Sequence, residues 1–304
     1  MLSQRLKGAT ATPTPTAAQY IAVAHVSAPL ITAYPWSGSG FGTKFTDPAT
    51  LPTGQGTGVA FSPSGNAIAV AGTSTPFITA YPWSGSGFGT KFANPATLPT
   101  GNGRGVAFSP SGNAIAVAHN TTPFVTAYPW SGSGFGTKFA NPATLPLNSG
   151  PGNGIAFSPS GNAVAIVGND GFNIYIAVYA WSGSGFGTKF SNPASGLPSR
   201  SLGVAFSPAG DAIAVAYNIS TPFITAYSWS GSGFGTKFAN PATPPTGNGY
   251  GVAFSPSGDA IAVAHDVSPF VTAYPWSGSG FGTKFANPAT LPPFQCNSVA
   301  FGAT

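Results

Sequence analysis

Residues Gly105–Asn120 read GVAFSPSGNAIAVAHN, and residues 121–146 continue TTPFVTAYPWSGSGFGTKFANPATLP. Four strand signals alternate here with turn signals. GVAFS is the first, and Pro-Ser-Gly-Asn after it supplies the Gly and Asn that a tight hairpin needs at positive φ. NAIAVAH follows, with Ile and Val alternating against Ala at the period of two of a strand. PFVTAYPWS, rich in β-branched and aromatic residues, is the third. SGSGFG is the next turn and TKFANP the fourth strand. No stretch has a 3.6-residue period, and the 31 prolines would break helices throughout.

The unit is written six times. Trp36, Trp83, Trp130, Trp181, Trp229 and Trp276 stand 47, 47, 51, 48 and 47 residues apart. A period in the forties with strand patterning is the mark of a propeller, in which no single unit can bury its apolar face alone. Each strand type occurs six times, yet the chain opens on a second strand at Gln19 and closes on a first strand at Val299–Phe301. Trp276 to Phe301 is 25 residues, the interval from Trp229 to Phe254, so the last copy is in register. Each end alone would leave an unpaired strand edge, which is a liability. The expectation is an all-β, single six-bladed β-propeller of four-stranded antiparallel blades over residues 19–304. The C-terminal strand 299–301 pairs with the N-terminal strands in a three-plus-one closure. Residues 1–18, with Thr-Pro alternation and no apolar h-region of a signal peptide, read as a flexible leader or docking arm.

Phe-Ser-Pro-Ser-Gly, an Ala/Val-rich strand, and then a strand ending in Trp resemble the WD40 blade pattern FSPDG…W across residues 19–304. Two features depart from it: Ser follows Trp where that pattern has Asp, and its Gly-His pair is missing. The near identity of the copies resembles propellers recently amplified in bacteria and their viruses.

Charged residues are only 5% of the chain, but 42% hydrophobic and 13% aromatic content argue for a folded core. Six of the ten basic residues are one repeated lysine (Lys44, Lys91, Lys138, Lys189, Lys237, Lys284) spread round the repeat, so the net charge of +5 implies no nucleic-acid patch. On the outermost strand, lysine reads as protection against edge-to-edge aggregation, with an anion-binding ring as the alternative. The lone Cys296 excludes a disulfide framework within the chain, and no apolar run reaches the length of a membrane span.

The copies differ in two places. WSGSGFGTKF is identical in all six, and Pro-Ser-Gly-Asn changes only at Ala209, Asp211 and Asp259. After the second strand the copies read HVSAPL, GTSTPF, HNTTPF, GNDGFNIY, YNISTPF and HDVSPF; before the first they read TGQGTG, TGNGRG, LNSGPGNG, LPSRSLG, TGNGYG and PFQCNS. Antiparallel strands place alternate turns at opposite ends, so both variable segments fall on one face. Just before the first strand stand Thr57, Arg104, Asn153, Leu202, Tyr250 and Asn297, five residue types at six equivalent positions. They are the candidate ligand-binding ring at the channel mouth. Around them are the loop candidates His25, Thr73, Asn120, Asn169, Asp170, Phe172, Arg200, Tyr217, Asn218, Asp266 and Phe294. The alternative is drift in a tolerant loop.

The chemistry of catalysis is sparse. There is no glutamate, and Asp47, Asp211 and Asp259 stand where sibling copies carry Asn, as turn residues do. No carboxylate pair offers general acid–base work, so an enzyme is not expected. His25, His119 and His265 end the second strand in the first, third and sixth copies, too dispersed for a metal; no metal and no cofactor is expected. Gly-Ser-Gly-Phe-Gly-Thr-Lys joins two strands and reads as a hairpin rather than a phosphate loop. The repeated Trp and Tyr read as core between blades. Asn120-Thr-Thr and Asn218-Ile-Ser fit glycosylation acceptors only in a secretory setting. The expected function is a non-catalytic recognition module presenting its variable face to a protein or glycan, as a virion or cell-surface adhesin would. The alternative is a structural or decoration subunit of a phage-like particle, docked by the constant face or residues 1–18.

Overall fold

The computed structural model describes residues 19–37, 40–146, 150–169, 174–195, 197, 200–288, 296–299 and 301. Among these the chain is all-β, and its strands form six antiparallel sheets in chain order. Sheet 1 holds Gln19–Ala24, Ile31–Ser37 and Gly40–Phe41; sheet 2 holds Gly56–Phe61, Ala67–Gly72 and Ile78–Pro82; sheet 3 holds Gly103–Phe108, Ala114–His119 and Val125–Pro129. Sheet 4 holds Gly152–Phe157, Ala163–Asn169, Ile174–Trp181 and Phe186–Lys189; sheet 5 holds Ser201–Phe206, Ala212–Tyr217, Ile224–Trp229 and Phe234–Lys237; sheet 6 holds Gly249–Phe254, Ala260–His265 and Val271–Pro275. This is a β-propeller-like repeat fold.

The alternation in the second strand is large against small, not apolar against polar. All six residues of Ala114–His119 are buried. Ala114, Ala116 and Ala118 pack against Val164 and Ile166 of sheet 4, while Ile115 and Val117 pack against Ala67, Ala69 and Ala71 of sheet 2. The small face of each sheet thus receives the large face of the next. The same pairing recurs between sheets 4 and 5 and between sheets 5 and 6, so the cores lie between sheets. Interdigitation of this kind reaches the density of a protein interior without cavities.

Aromatic side chains lock the same interfaces. Trp130 is 4% exposed and has three phenylalanines edge-on around it: Phe108 and Phe135 of its own sheet, and Phe92 at the end of sheet 2's TKF segment. Trp83, Trp181, Trp229 and Trp276 are caged in the same way. Tyr128 Oη donates to the Thr97 carbonyl of the preceding connector at 2.7 Å, and Tyr81, Tyr179 and Tyr274 repeat this bond to Thr50, Thr144 and Thr243.

The fourth strand differs from expectation. Where it forms over four residues it is FGTK, not TKFANP, and it does so only in sheets 4 and 5. In sheets 2, 3 and 6 it shrinks to a single bridge, Trp83↔Phe88, Trp130↔Phe135 and Trp276↔Phe281, and in sheet 1 to Gly40–Phe41. The residue before the tryptophan explains the difference. It is Pro35, Pro82, Pro129 and Pro275 in the short cases, but Ala180 and Ser228 in sheets 4 and 5. Proline brings no N–H to a ladder, so the pairing stops there.

The first strands of sheets 2–6 lie side by side. Beyond sheet 6, a methyl on Gly251 would stand 2.8 Å from the Ser298 Cα, and the Cys296 N–H donates to the His265 carbonyl at 3.2 Å. Gly56 makes the equivalent bond to His25. The 296–299 segment therefore occupies the place of a further first strand beside sheet 6. Among the described residues no ladder joins it to Gln19–Ala24, and Phe301 is 38% exposed where Phe108, Phe157, Phe206 and Phe254 are buried. Residues 1–18 lie outside the described residues.

Candidate functional site

The ladder between first and second strands skips one residue in every sheet that has both. Gly103 pairs with His119 and Gly105 with Ala118, leaving Arg104 unpaired between them. Thr57, Asn153, Leu202 and Tyr250 are skipped in the same way. The variable position is thus a β-bulge inside the first strand, not a loop residue before it. A bulge re-aims the extra side chain without breaking the sheet, so this position accepts many residue types.

The residue after the bulge is always glycine, for a tertiary reason. A methyl at Gly105 would meet the Asn153 carbonyl oxygen at 3.2 Å, and one at Gly203 would meet that of Tyr250 at 2.8 Å. Gly58 faces Arg104, Gly154 faces Leu202 and Gly251 faces Asn297 similarly. Arg104, Asn153, Leu202, Tyr250 and Asn297 therefore each abut the bulge of the preceding sheet, and with Thr57 at its start the six follow one another along a continuous arc.

Their side chains do different things. Thr57 Oγ1 donates to the Gly103 carbonyl at 2.7 Å, and Asn153 Nδ2 to the Ser201 carbonyl at 3.0 Å, so these two tie one sheet to the next. Arg104 is exposed and makes no hydrogen bond or ion pair among the described residues. Leu202 and Tyr250 are half-buried, and Asn297 is exposed. Burial, with the Asp266 carboxylate nearby, raises the Tyr250 hydroxyl above its ordinary pKa, against a smaller opposing effect of Arg200.

The two variable segments meet in each repeat. Thr53, Thr100 and Thr246 of the connectors donate to the carbonyls of Thr75, Thr122 and Ser268 in the loops after the second strand. The Gln55 N–H donates to Thr73 Oγ1 at 2.9 Å, and Arg200 Nε to Asn169 Oδ1 at 3.0 Å. Asn248 gives its backbone N–H to Asp266 Oδ1 at 2.8 Å and Nδ2 to Oδ2 at 2.7 Å. Thr73, Asn120, Asn218 and Asp266 are half-buried on this surface, as is His25, and Arg200 is exposed. Two loop candidates are not at the surface. Tyr217 is fully buried, its hydroxyl turned toward the Ile224 carbonyl, and Asn169 is buried against Asn153 and Arg200. Asp170, Phe172 and Phe294 lie outside the described residues.

His119 and His265 are fully buried, each with Nε2 2.9 Å from a threonine hydroxyl, Thr126 and Thr272. Burial pushes the His119 imidazole down to about 4 and lowers that of His265. No group of three His, Cys or Asp side chains stands together among the described residues.

The opposite face joins the Pro-Ser-Gly-Asn and WSGSG turns, which line a common groove between Pro63, Asn66, Ser111 and Trp130. Its constancy has a folding cause. Gly112 and Gly132 hold φ of 68° and 79°, Ser111 and Ser109 both donate to Asn113 Oδ1, and Phe135 packs on Trp130. The repeated lysines belong to this framework too. Lys91, Lys138, Lys189 and Lys284 each donate to the Asn side chain three residues on, and Lys44 pairs with Asp47 at 2.7 Å. Sequence reasoning missed this clasp, although the i, i+3 recurrence of Lys with Asn or Asp carries it.

All four described carboxylates have hydrogen-bond or ion-pair roles in turns. Asp211 accepts from Ser207 and Asp259 from Ser255 and Ser257, whose hydroxyls hold the Asp259 carboxyl below its usual range. No protein-family model matches the chain, and no curated protein matches it.

Proposed function

We propose that the chain is a six-bladed, WD40-like propeller, closed by residues 299–301 completing sheet 1, that works as a non-catalytic recognition module. Its variable rim receives a protein or glycan, on a virion or a cell surface. Support for closure comes from the 296–299 segment, which holds the position of a sixth first strand beside sheet 6. The observation that carries the recognition reading is the arc of variable positions: five bulges and Asn297, adjacent in space, carry five side-chain types, the bulges on a backbone whose following glycines are held by close contacts. Variable chemistry on a rigid frame is what a binding surface requires, because little ordering entropy is lost on association. The constancy of the other face adds nothing to a docking role there, since folding already accounts for it.

The test is the combined replacement of Thr57, Arg104, Leu202 and Tyr250 by Ser, screened against glycan and surface-protein arrays. Loss of a wild-type hit with an unchanged melting curve is the expected result. A variant that keeps every hit overturns the reading.

A further inference from the structure

The variable rim is not uniform. In sheets 2 and 3 it carries Thr57, Thr73, Arg104 and Asn120, all polar. In sheets 5 and 6 it exposes Ile219 at 75% and Val267 at 47%, and also carries the half-buried Leu202 and Tyr250. A relay of hydrogen bonds joins the loops that bear Ile219 and Val267 into one patch. The Arg200 carbonyl accepts from the Asn218 N–H, the Ile219 N–H donates to Asn248 Oδ1 at 2.8 Å, and Asn248 in turn donates to Asp266. Gly247 lies directly under Val267, and the Tyr250 carbonyl abuts Gly203, the neighbour of Leu202.

Ile219 adds a second, independent observation. Its φ is +78°, the left-handed region that suits glycine or asparagine and that a β-branched residue rarely adopts. A strained backbone that presents an exposed isoleucine points to a role for that side chain.

Resting on the recognition reading above, we propose that this patch docks a segment of another polypeptide that bears acidic and large apolar side chains. The exposed aliphatic groups of Ile219 and Val267 complement apolar side chains and offer nothing to sugar hydroxyls. The charge of the rim selects an acidic partner. Arg104 and Arg200 are exposed, whereas both oxygens of Asp266, the one described rim carboxylate, already accept from Asn248. A second copy of this chain, itself at +5, is the wrong sign.

The experiment is selection on the full chain from a displayed library of random dodecapeptides. Enriched peptides are expected to combine Asp or Glu with Leu, Ile, Phe or Trp. Ile219→Asn with Val267→Ser weakens such a peptide at least about tenfold, and Arg200→Gln weakens it while flattening its salt dependence. Enrichment of neutral or basic peptides, no enrichment, or affinity indifferent to these substitutions overturns the proposal. If the double variant melts early, Arg200→Gln alone decides. A glycan hit lost in the four-serine variant but kept in Ile219→Asn/Val267→Ser would sink this proposal and leave the recognition reading standing.

Discussion

The rings of Phe92 and Trp130 meet perpendicularly with centroids 5.2 Å apart, although one belongs to the segment closing sheet 2 and the other to sheet 3. Each repeat thus contributes to its neighbour's core as well as to its own.

Trp130→Ala is expected to cost about 3–5 kcal/mol, the range for a large buried side chain cut to methyl. Phe92→Ala acts on the same interface from the other sheet. A double-mutant cycle by chemical denaturation should return a coupling of about 0.5–1.5 kcal/mol for the edge-on pair. Zero coupling would place Phe92 outside the cage.

Stability should fall on the acid side. His119 has its folded pKa lowered to about 4 by burial, so the folded state holds the ring neutral while the unfolded chain binds a proton near its ordinary value of about 6.5. Its contribution is therefore complete above that unfolded value and is lost as pH falls from there toward about 4, of order 3 kcal/mol. His265, also lowered, acts in the same direction. Replacing both with Tyr, the residue of sheet 5 at this position, should flatten the melting temperature over that window. An unchanged slope would show that other groups titrate there.

Ala180→Pro should reduce the fourth strand of sheet 4 to the single bridge of sheets 2 and 3, and Pro129→Ala should lengthen that of sheet 3. Amide hydrogen exchange at Gly187–Lys189 and Gly136–Lys138 reads both changes, each with a stability effect of about 1 kcal/mol. Protection that ignores the substitution would put the cause elsewhere.

Ile219→Asn relieves a left-handed β-branched residue and removes an exposed apolar group, so the protein should become more stable by about 1 kcal/mol. A lower melting temperature would mean that Ile219 packs against something after all.

Gly105→Ala should destabilise by about 1–3 kcal/mol, because the new methyl must push back the Asn153 carbonyl. Arg104→Ala, one residue earlier, should be neutral within about 0.5 kcal/mol. Equal effects at the two sites would remove the distinction between frame and presented side chain.

Much of the fold is legible in the residues. The period of the tryptophans, the hairpin chemistry of Pro-Ser-Gly-Asn and the strand-length patterning are local properties, and they predict repeated antiparallel sheets without reference to anything distant. The face on which the copies differ is legible too, because alternate turns of an up-and-down sheet must lie at opposite ends.

What the amino acids settle alone is therefore the repeat, its strands and the segregation of its variation. Only the tertiary arrangement makes Arg104 and its equivalents bulges, because the skipped residue is defined by a ladder with another strand. It alone requires Gly105, through contact with a carbonyl 48 residues away, and it alone buries Tyr217 while exposing Ile219 two positions later. A residue's neighbours in sequence prescribe its backbone; whether its side chain meets a sheet, a carbonyl or water depends on atoms that sequence proximity does not bring near.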